Sequence, residues 1–397
     1  MKAVILAAGE GTRMRPLTVS RPKVMLPLAN RPMLEHVVQA CIQAGIREFV
    51  MVTGYREETV KAYFGSGSKW GVHIDYVKQD KQLGTAHAIG CARKFVNGRF
   101  IQLNGDMLVD PLHLEKLMKH NEAAVISVKD VDNPSEFGVV VTEDHKVVRI
   151  IEKPLDSPAR TVNAGIYLFN DIIFEYIDRT QPSPRNEYEI TDSMQMMVND
   201  GIHVGFEPLT HAWLDVGRPW DMLDANKALL EKIKPSCEGT VEPMVTLHGD
   251  VVIGEGSIIR NGAYIIGPVV IGKNCDIGPN CFIRPSTSIG NNVHIGNAVE
   301  VKNCVIMDGT KIGHLTYIGD SVVGYNCNFG AGTKIANLRH DGKNIKSIIK
   351  GKRVDTGRRK LGVIMGDDVH TGINTSINVG VVIENGGNTK PGEVLMQ

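Results

Sequence analysis

The chain predicts an α/β domain followed by a parallel β-helix, and three observations carry that expectation. Short aliphatic runs alternate with helical patterns over residues 1 to about 230, a glycine-rich turn closes the first of those runs, and an aliphatic residue recurs every six positions from Leu247. At 397 residues the chain exceeds what one hydrophobic core usually supports. Two domains are expected, 1–230 and 246–397, joined by a linker at 231–245.

In order, KAVILAA, MLEHVVQACIQAG, EFVMVTG and ETVKAYFG read as strand, helix, strand and helix. That alternation predicts a mostly parallel sheet covered on both faces, with ligands beyond the carboxyl ends of the strands. PWDMLDANKALLEKIK has helical spacing and ends before Pro235, and PSCEGTVEPM follows as the linker. The period-six residues are Leu247, Ile253, Ile259, Ile265, Ile271, Ile277, Ile283, Ile289, Ile295, Val301 and Met307. Each hexad forms one face of a triangular coil, with the aliphatic pointing inward. Glycine follows it at Gly254, Gly272, Gly278, Gly290 and Gly296, where backbone freedom eases the corner. The frame shifts by one residue before Ile312 and again before Val323, which predicts a bulged or strained coil where His314 lies. A basic, glycine-punctuated excursion at 338–361 reads as a loop thrown out of the rod. Coils resume at Met365, Thr371, Ile377 and Ile383, and the tail ENGGNTKPGEVLMQ reads as a cap.

Equal numbers of basic and acidic residues, 44 of each, remove the global positive field that nucleic-acid binding normally needs. Any anion site must be local. Seven cysteines without CxxC spacing fit a reducing cytosol. MKAVILAAG runs straight into a glycine turn and reads as a buried strand rather than a secretion signal, and no stretch approaches membrane-spanning length.

The glycine turn, ILAAGEGTRMRPLTVSRPK, places Leu6, Ala8, Gly9, Gly11 and Thr12 just ahead of Arg13 and Lys23. Backbone amides of such a loop can cradle phosphate oxygens, while Arg13 and Lys23 offset charge developing on an attacked phosphorus and a departing pyrophosphate. No GKS or GKT occurs, so this is not a Walker A loop.

This stretch resembles the signature of the sugar-phosphate nucleotidyltransferases, over roughly the first 220 residues. The resemblance implies a Rossmann-like domain and attack by a sugar 1-phosphate oxygen on the α-phosphorus of a nucleoside triphosphate. In QDKQLGTAHAI it implies that Gln79 meets the base edge, with Gly84 and Thr85 close to nucleotide. In LNGDM and WLDVG it implies Asp106 and Asp215 as the carboxylates that hold magnesium, a hard ion suited to oxygen ligands. FGVV, IIEKP and NAGIY carry sugar-binding roles to Gly138, Glu152 and Asn163.

His314 falls in GHLTYIGD, and a histidine there can serve as general base. HLTYIGDSVVGYNCNFGAGT resembles the acetyltransferase domain of the family of bifunctional N-acetylglucosamine-1-phosphate uridylyltransferases and glucosamine-1-phosphate acetyltransferases, whose rod is a left-handed β-helix. The resemblance implies that Arg284, Lys302, Tyr317, Asn328 and Lys343 bind the sugar phosphate, that Ala331 and Asn337 face acetyl-coenzyme A, and that three chains assemble as a homotrimer. Leu338 stands where tyrosine is common in that family. Lys350, Lys352, Arg353, Arg358, Arg359 and Lys360 read equally as a donor-phosphate site or as a solvated charge run.

The expected function is therefore acetylation of glucosamine 1-phosphate, or galactosamine 1-phosphate, by acetyl-coenzyme A. Uridylyl or thymidylyl transfer from UTP or dTTP then gives the sugar nucleotide. The alternative keeps only a nucleotidyltransferase making UDP-glucose, dTDP-glucose or GDP-mannose, with the rod as scaffold.

Overall fold

The computed structural model describes residues 1–144, 146–154, 156–210 and 213–396. The chain folds as two compact units, one of Met1–Glu10 with Met33–Asp215, the other of Gly11–Pro32 with Val216–Gln397.

In the first unit Lys2–Ala7 lies between Glu48–Thr53 and Phe100–Asn104, with His73–Lys78 beyond Glu48–Thr53, all parallel. Val4, Ile5, Phe49, Val50, Ile101 and Leu103 are fully buried. Burial on both sheet faces is why these strands read as unbroken apolar runs rather than alternating ones. The expectation of a mostly parallel sheet holds for this group and for Val204–Pro208, which runs parallel to Ala124–Asp130, but not for the rest. Thr161–Phe169 runs antiparallel to Phe100–Asn104 and to Ala124–Asp130, and the hairpin Gly138–Glu143 with Lys146–Glu152 extends that half. Gly138–Glu143 lies between Lys146–Glu152 and Thr161–Phe169 and is antiparallel to both, and antiparallel neighbours such as the two hairpin strands need no crossover helix. Among the described residues no helix is long and apolar enough to cross a membrane.

In the second unit, helix Asp221–Leu230 precedes a rod of three parallel sheets with eight, six and eight strands among the described residues. This is the left-handed β-helix expected from the hexads. Ile253, Ile259, Ile265, Ile271, Ile277, Ile283, Ile289, Ile295 and Val301 form its buried ladder. Strand pairing extends to Ser236–Cys237 and Thr240–Val241, ahead of Leu247.

Three sequence expectations are corrected. First, the frame slips earlier than Ile312: Ile289 pairs with Ile306, so Ile306 and not Met307 continues the inward ladder. The missing residue is absorbed at the corner between Val301 and Val305, and strand Lys311–His314 keeps its pairing with His294–Asn297. Second, left-handed corners fall at asparagines such as Asn274 (φ 54°), Asn280 (50°) and Asn292 (57°), which tolerate this conformation, and at glycines such as Gly256 and Gly262, whereas of the glycines that follow the inward aliphatic only Gly278 (109°) among Gly254, Gly272, Gly278, Gly290 and Gly296 has a positive φ. Gly254 is required for closeness instead, because a Cβ there would meet Gly272 O of the next coil at 2.5 Å. Third, residues 338–361 are not thrown clear of the rod. They form an antiparallel hairpin, Lys346–Ile349 with Lys352–Asp355. Ile345 and Leu361 are fully buried, and buried Ser347 Oγ donates to Gly380 O at 2.8 Å. The tail does close the stack, since Val394–Leu395 pairs with Ser376–Ile377.

Candidate active sites

The parallel strands of the first unit end at the residues expected to hold nucleotide. Leu6 O accepts from Gly105 N at 2.9 Å, and Ala8 O accepts from Tyr55 N at 3.1 Å and from Gln82 Nε2 at 2.7 Å. A Cβ at Gly9 would meet nothing within 4 Å, so the backbone beside it is open to a ligand. Gln79 is buried rather than solvated; its Nε2 donates to Gly84 O at 3.2 Å and faces His87 Nδ1 at 2.9 Å. Gly84 has φ 109° and lies against the Tyr188 backbone, where only glycine fits. Thr85 Oγ1 accepts from Ile190 N at 3.0 Å.

Asp106 lies two residues beyond Phe100–Asn104, and Asp215 pairs with Met107 in the ribbon of Trp213–Asp215 against Met107–Val109. The two carboxylates thus share one ribbon end, both half-buried. Among the described residues no group of three or more His, Cys, Asp and Glu side chains could hold a metal by itself. A pair of carboxylate oxygens fits a hard divalent ion that completes its shell from substrate phosphate and water.

Gly138, Glu152 and Asn163 converge. A Cβ at Gly138 would lie 3.0 Å from Glu152 Oε2 and 3.6 Å from Asn163 Cβ. Glu152 accepts from Arg185 at 3.0 Å and from Thr191 Oγ1 at 3.1 Å, so it is held in place rather than merely paired with Lys153 on a surface. Asn163 Oδ1 accepts from Gly165 N at 2.8 Å. Burial, helped by the nearby carboxylates of Glu189 and Glu152, raises the Asp192 carboxyl above its ordinary value.

Gly11, Thr12, Arg13 and Lys23 belong to the second unit. Arg13 is exposed in the turn Thr12–Met14, whereas Lys23 is buried. Gly11 has φ 71°, and a Cβ there would stand 2.6 Å from Lys23 Cβ. Thr18 Oγ1 donates to Gly11 O at 3.0 Å and fixes the turn.

On the rod, Lys302, Tyr317 and Asn337 gather around a residue the sequence reading passed over, Asp320. Asn337 Nδ2 donates to Asp320 Oδ2 at 2.5 Å and to Tyr317 Oη at 3.2 Å. Asn303 Nδ2 donates to Asp320 Oδ1 at 2.7 Å, and Lys302 Nζ stands 3.9 Å from Asp320. Burial, together with Lys360 and Arg284 nearby, lowers the Lys302 ammonium below its ordinary value despite Asp320. Arg284, one coil before Lys302, pairs with Glu300 at 2.9 Å. Asn303, Asp320 and Asn337 lie 17 residues apart on successive coils. That spacing becomes visible in sequence once the shortened coil is placed at Val301–Val305.

His314 lies on a different sheet, opposite Asn297, with its side chain exposed. Its carbonyl accepts from Thr316 Oγ1 at 2.8 Å and Gly332 N at 3.1 Å. Asn328 is exposed beside Lys311 and bridges to His370, and Ala331 O accepts from Asn374 N at 2.8 Å. Lys343 is exposed, its N–H bonded to Asp341 Oδ1 at 3.2 Å. Within one chain, then, Lys302, Tyr317 and Asn337 meet, while no hydrogen bond links them to His314, Asn328 or Lys343 among the described residues. Cys304 and Cys327 are members of the rod core, and burial pushes their thiols up to about 12.

Residues 2–232 match the family model described as nucleotidyl transferase, and residues 265–387 match one described as GMPPB C-terminal domain. A protein of Methanocaldococcus jannaschii named bifunctional protein GlmU is 42% identical over 384 residues, covering 96% of this chain and 92% of that one. A protein of Sulfurisphaera tokodaii named bifunctional sugar-1-phosphate nucleotidylyltransferase/acetyltransferase is 41% identical over 399 residues, covering 100% of this chain and 97% of that one. Among solved structures, a putative glucose-1-phosphate thymidylyltransferase of Bacillus anthracis is 33% identical with a TM-score of 0.54, covering 59% of this chain and 97% of that one.

Proposed function

Because the chain belongs to the nucleotidyl transferase family and, along nearly its whole length, to the bifunctional GlmU proteins, it is a two-activity enzyme of sugar-nucleotide biosynthesis, and we propose that it acetylates glucosamine 1-phosphate and then couples the product to UMP. In this reading His314 takes a proton from the sugar amine as the nitrogen attacks the thioester carbonyl. The carbon–sulfur bond breaks, and the proton passes to the departing thiolate of coenzyme A. Arg284, Lys302 and Lys343 clamp the sugar phosphate, with Tyr317 and Asn328 on the sugar and Ala331 and Asn337 toward the acetyl donor.

In the second reaction a phosphate oxygen of N-acetylglucosamine 1-phosphate attacks the α-phosphorus of UTP, and the bond to the β-phosphate breaks to release pyrophosphate. Arg13 and Lys23 neutralise the developing charge, Gln79 meets the base, and Gly138, Glu152 and Asn163 orient the sugar. Asp106 and Asp215 would hold Mg²⁺, which would supply Lewis-acid polarisation of the phosphates. A homotrimer and a reducing cytosolic setting complete the proposal; the buried, unpaired thiols of the rod support the latter.

The observation that carries the acetyltransferase half is the stack in which buried Asp320 is held between half-buried Asn303 and Asn337, beside Lys302 and Tyr317, because a pure scaffold gains little from burying a carboxylate among amides. The test mixes the protein with acetyl-coenzyme A and glucosamine 1-phosphate and follows thiol release, with His314→Ala in parallel. Release that the substitution abolishes supports the reading. No release from the folded wild type, across several amino-sugar phosphates, would leave a nucleotidyltransferase with a structural rod. A sedimentation mass of one chain would count against the trimer.

A further inference from the structure

The segment that carries Arg13 and Lys23 is anchored to the rod on both sides of Lys23. Upstream, Arg21 donates from both terminal nitrogens to the Asp367 carboxylate, at 2.8 and 3.1 Å, and its guanidinium lies 4.1 Å from the centre of the Tyr325 ring. Ser20 Oγ donates to Asp367 at 2.9 Å, and Tyr325 N donates to Asp367 Oδ1 at 3.0 Å. The carboxylate is thus filled by donors, and Asp367 is only 5% exposed. Downstream, Ala29 N donates to Asn226 Oδ1 at 2.8 Å, Asn226 Nδ2 donates to Ser286 O at 3.2 Å, and Asn30 Nδ2 donates to Ile289 O at 2.5 Å.

A bidentate arginine–carboxylate pair fixes direction as well as distance, and stacking on an aromatic face fixes the plane of the guanidinium. Only Pro22, with its ring-locked φ of −70°, separates Arg21 from Lys23. The orientation set at Arg21 therefore passes to the backbone of Lys23 with little slack. Lys23 in turn backs onto Gly11, where there is no room for a Cβ.

We propose that Asp367, a residue of the β-helix, is a positioning residue for nucleotidyl transfer, holding Lys23 through Arg21. This rests on the assignment of Lys23 to the triphosphate. It gives the rod a part in the first-domain chemistry that is separate from acetyl transfer. Transition-state contacts are sensitive to small displacements, so loosening the anchor lowers turnover more than nucleotide affinity.

The experiment measures pyrophosphate release and thiol release on the full chain for Asp367→Asn, Arg21→Gln, Lys23→Ala and the reversed pair Arg21→Asp with Asp367→Arg. The expected result is at least about a tenfold fall in kcat for pyrophosphate release in each single variant. KM for UTP should change by less than about threefold, thiol release should stay at the wild-type rate, and the reversed pair should recover most of the kcat lost. The swap asks for orientation, which mere loss of packing would not restore. Wild-type kcat in Asp367→Asn and Arg21→Gln, beside a dead Lys23→Ala, overturns the inference alone. A fall that the reversed pair does not recover, or that thiol release shares, also overturns it. Full pyrophosphate release by Lys23→Ala would remove the assignment of Lys23 and the inference with it.

Discussion

Asn337 donates to Asp320 across one coil of the rod at 2.5 Å, and Asn303 approaches the same carboxylate from the other side at 2.7 Å. Asp320 is 4% exposed, and its buried oxygens are satisfied by two amides, with the Lys302 ammonium 3.9 Å away. Asp320→Asn is expected to leave Asn337 and Lys302 without their acceptor. Thiol release should fall at least about tenfold, and melting should show a loss of about 1.5–3 kcal/mol, the usual worth of a charged hydrogen bond. Pyrophosphate release should be unchanged. Equal loss of both activities would refute a local role.

Gly319 backs the same cluster. A Cβ there would stand 2.6 Å from both Asn337 Nδ2 and Tyr317 Oη. Gly319→Ala should therefore displace both polar groups and cost roughly 1–3 kcal/mol of stability, as overpacking does. The check is acetyl transfer by thiol release, expected to drop while UTP turnover persists.

Gly138→Ala tests the other sugar site. The added methyl group would press on Glu152 Oε2 at 3.0 Å and Thr191 Cγ2 at 3.3 Å, and Glu152 is already tied to Arg185 and Thr191. KM for N-acetylglucosamine 1-phosphate should rise roughly tenfold, the equivalent of about 1.4 kcal/mol. An unchanged KM would remove Glu152 from the sugar contact.

Gly11→Ala combines a positive φ of 71° with a Cβ 2.6 Å from Lys23 Cβ. The backbone strain alone costs about 1–2 kcal/mol. Pyrophosphate release should fall more than a hundredfold, on the order expected for misplacing a charged group by about 1 Å, while thiol release continues.

The pH dependence of stability has a clear source in His120 of the first unit. Burial acts to lower the His120 imidazolium, but its bonds to Glu207 at 2.9 Å and Glu122 at 3.3 Å prevail and hold it above its ordinary value. A raised folded-state value means the imidazolium contributes stability that is fully present below the unfolded value near about 6.5 and is lost as pH rises through the folded one. Glu122, lowered in the folded state by backbone bonds and His120 against its burial, adds stability above its unfolded value and loses it in acid. Thermal melting from pH 6 upward should show a decline in stability that His120→Gln abolishes. An identical slope in the variant would refute the assignment.

The β-helix was readable because its signal is local: a hexad needs only an inward aliphatic, and Ile253 through Val301 supply it without interruption. The frame slip was misplaced because Ile306 and Met307 are both apolar and both buried, so either could continue the ladder in sequence; only pairing with Ile289 distinguishes them. The glycine-rich turn gave Gly9 and Gly11, the family resemblance pointed to Gly84, and the signatures around Gly138, Glu152 and Asn163 named positions that do converge. Asp320 escaped notice because its role depends on what lies one coil away, not beside it in the chain.

The sequence by itself determined the two architectures and the types of residue at their strand ends, since apolar period and backbone freedom are properties of short stretches. Only the tertiary structure decided that Gly11–Pro32 folds with the rod, that Arg21 meets Asp367, and that Asn303, Asp320 and Asn337 stack. Arg21 and Asp367 are 346 residues apart, and no local periodicity encodes such a pairing. It arises when two separately formed elements bury polar groups together, where a carboxylate withdrawn from water must find donors.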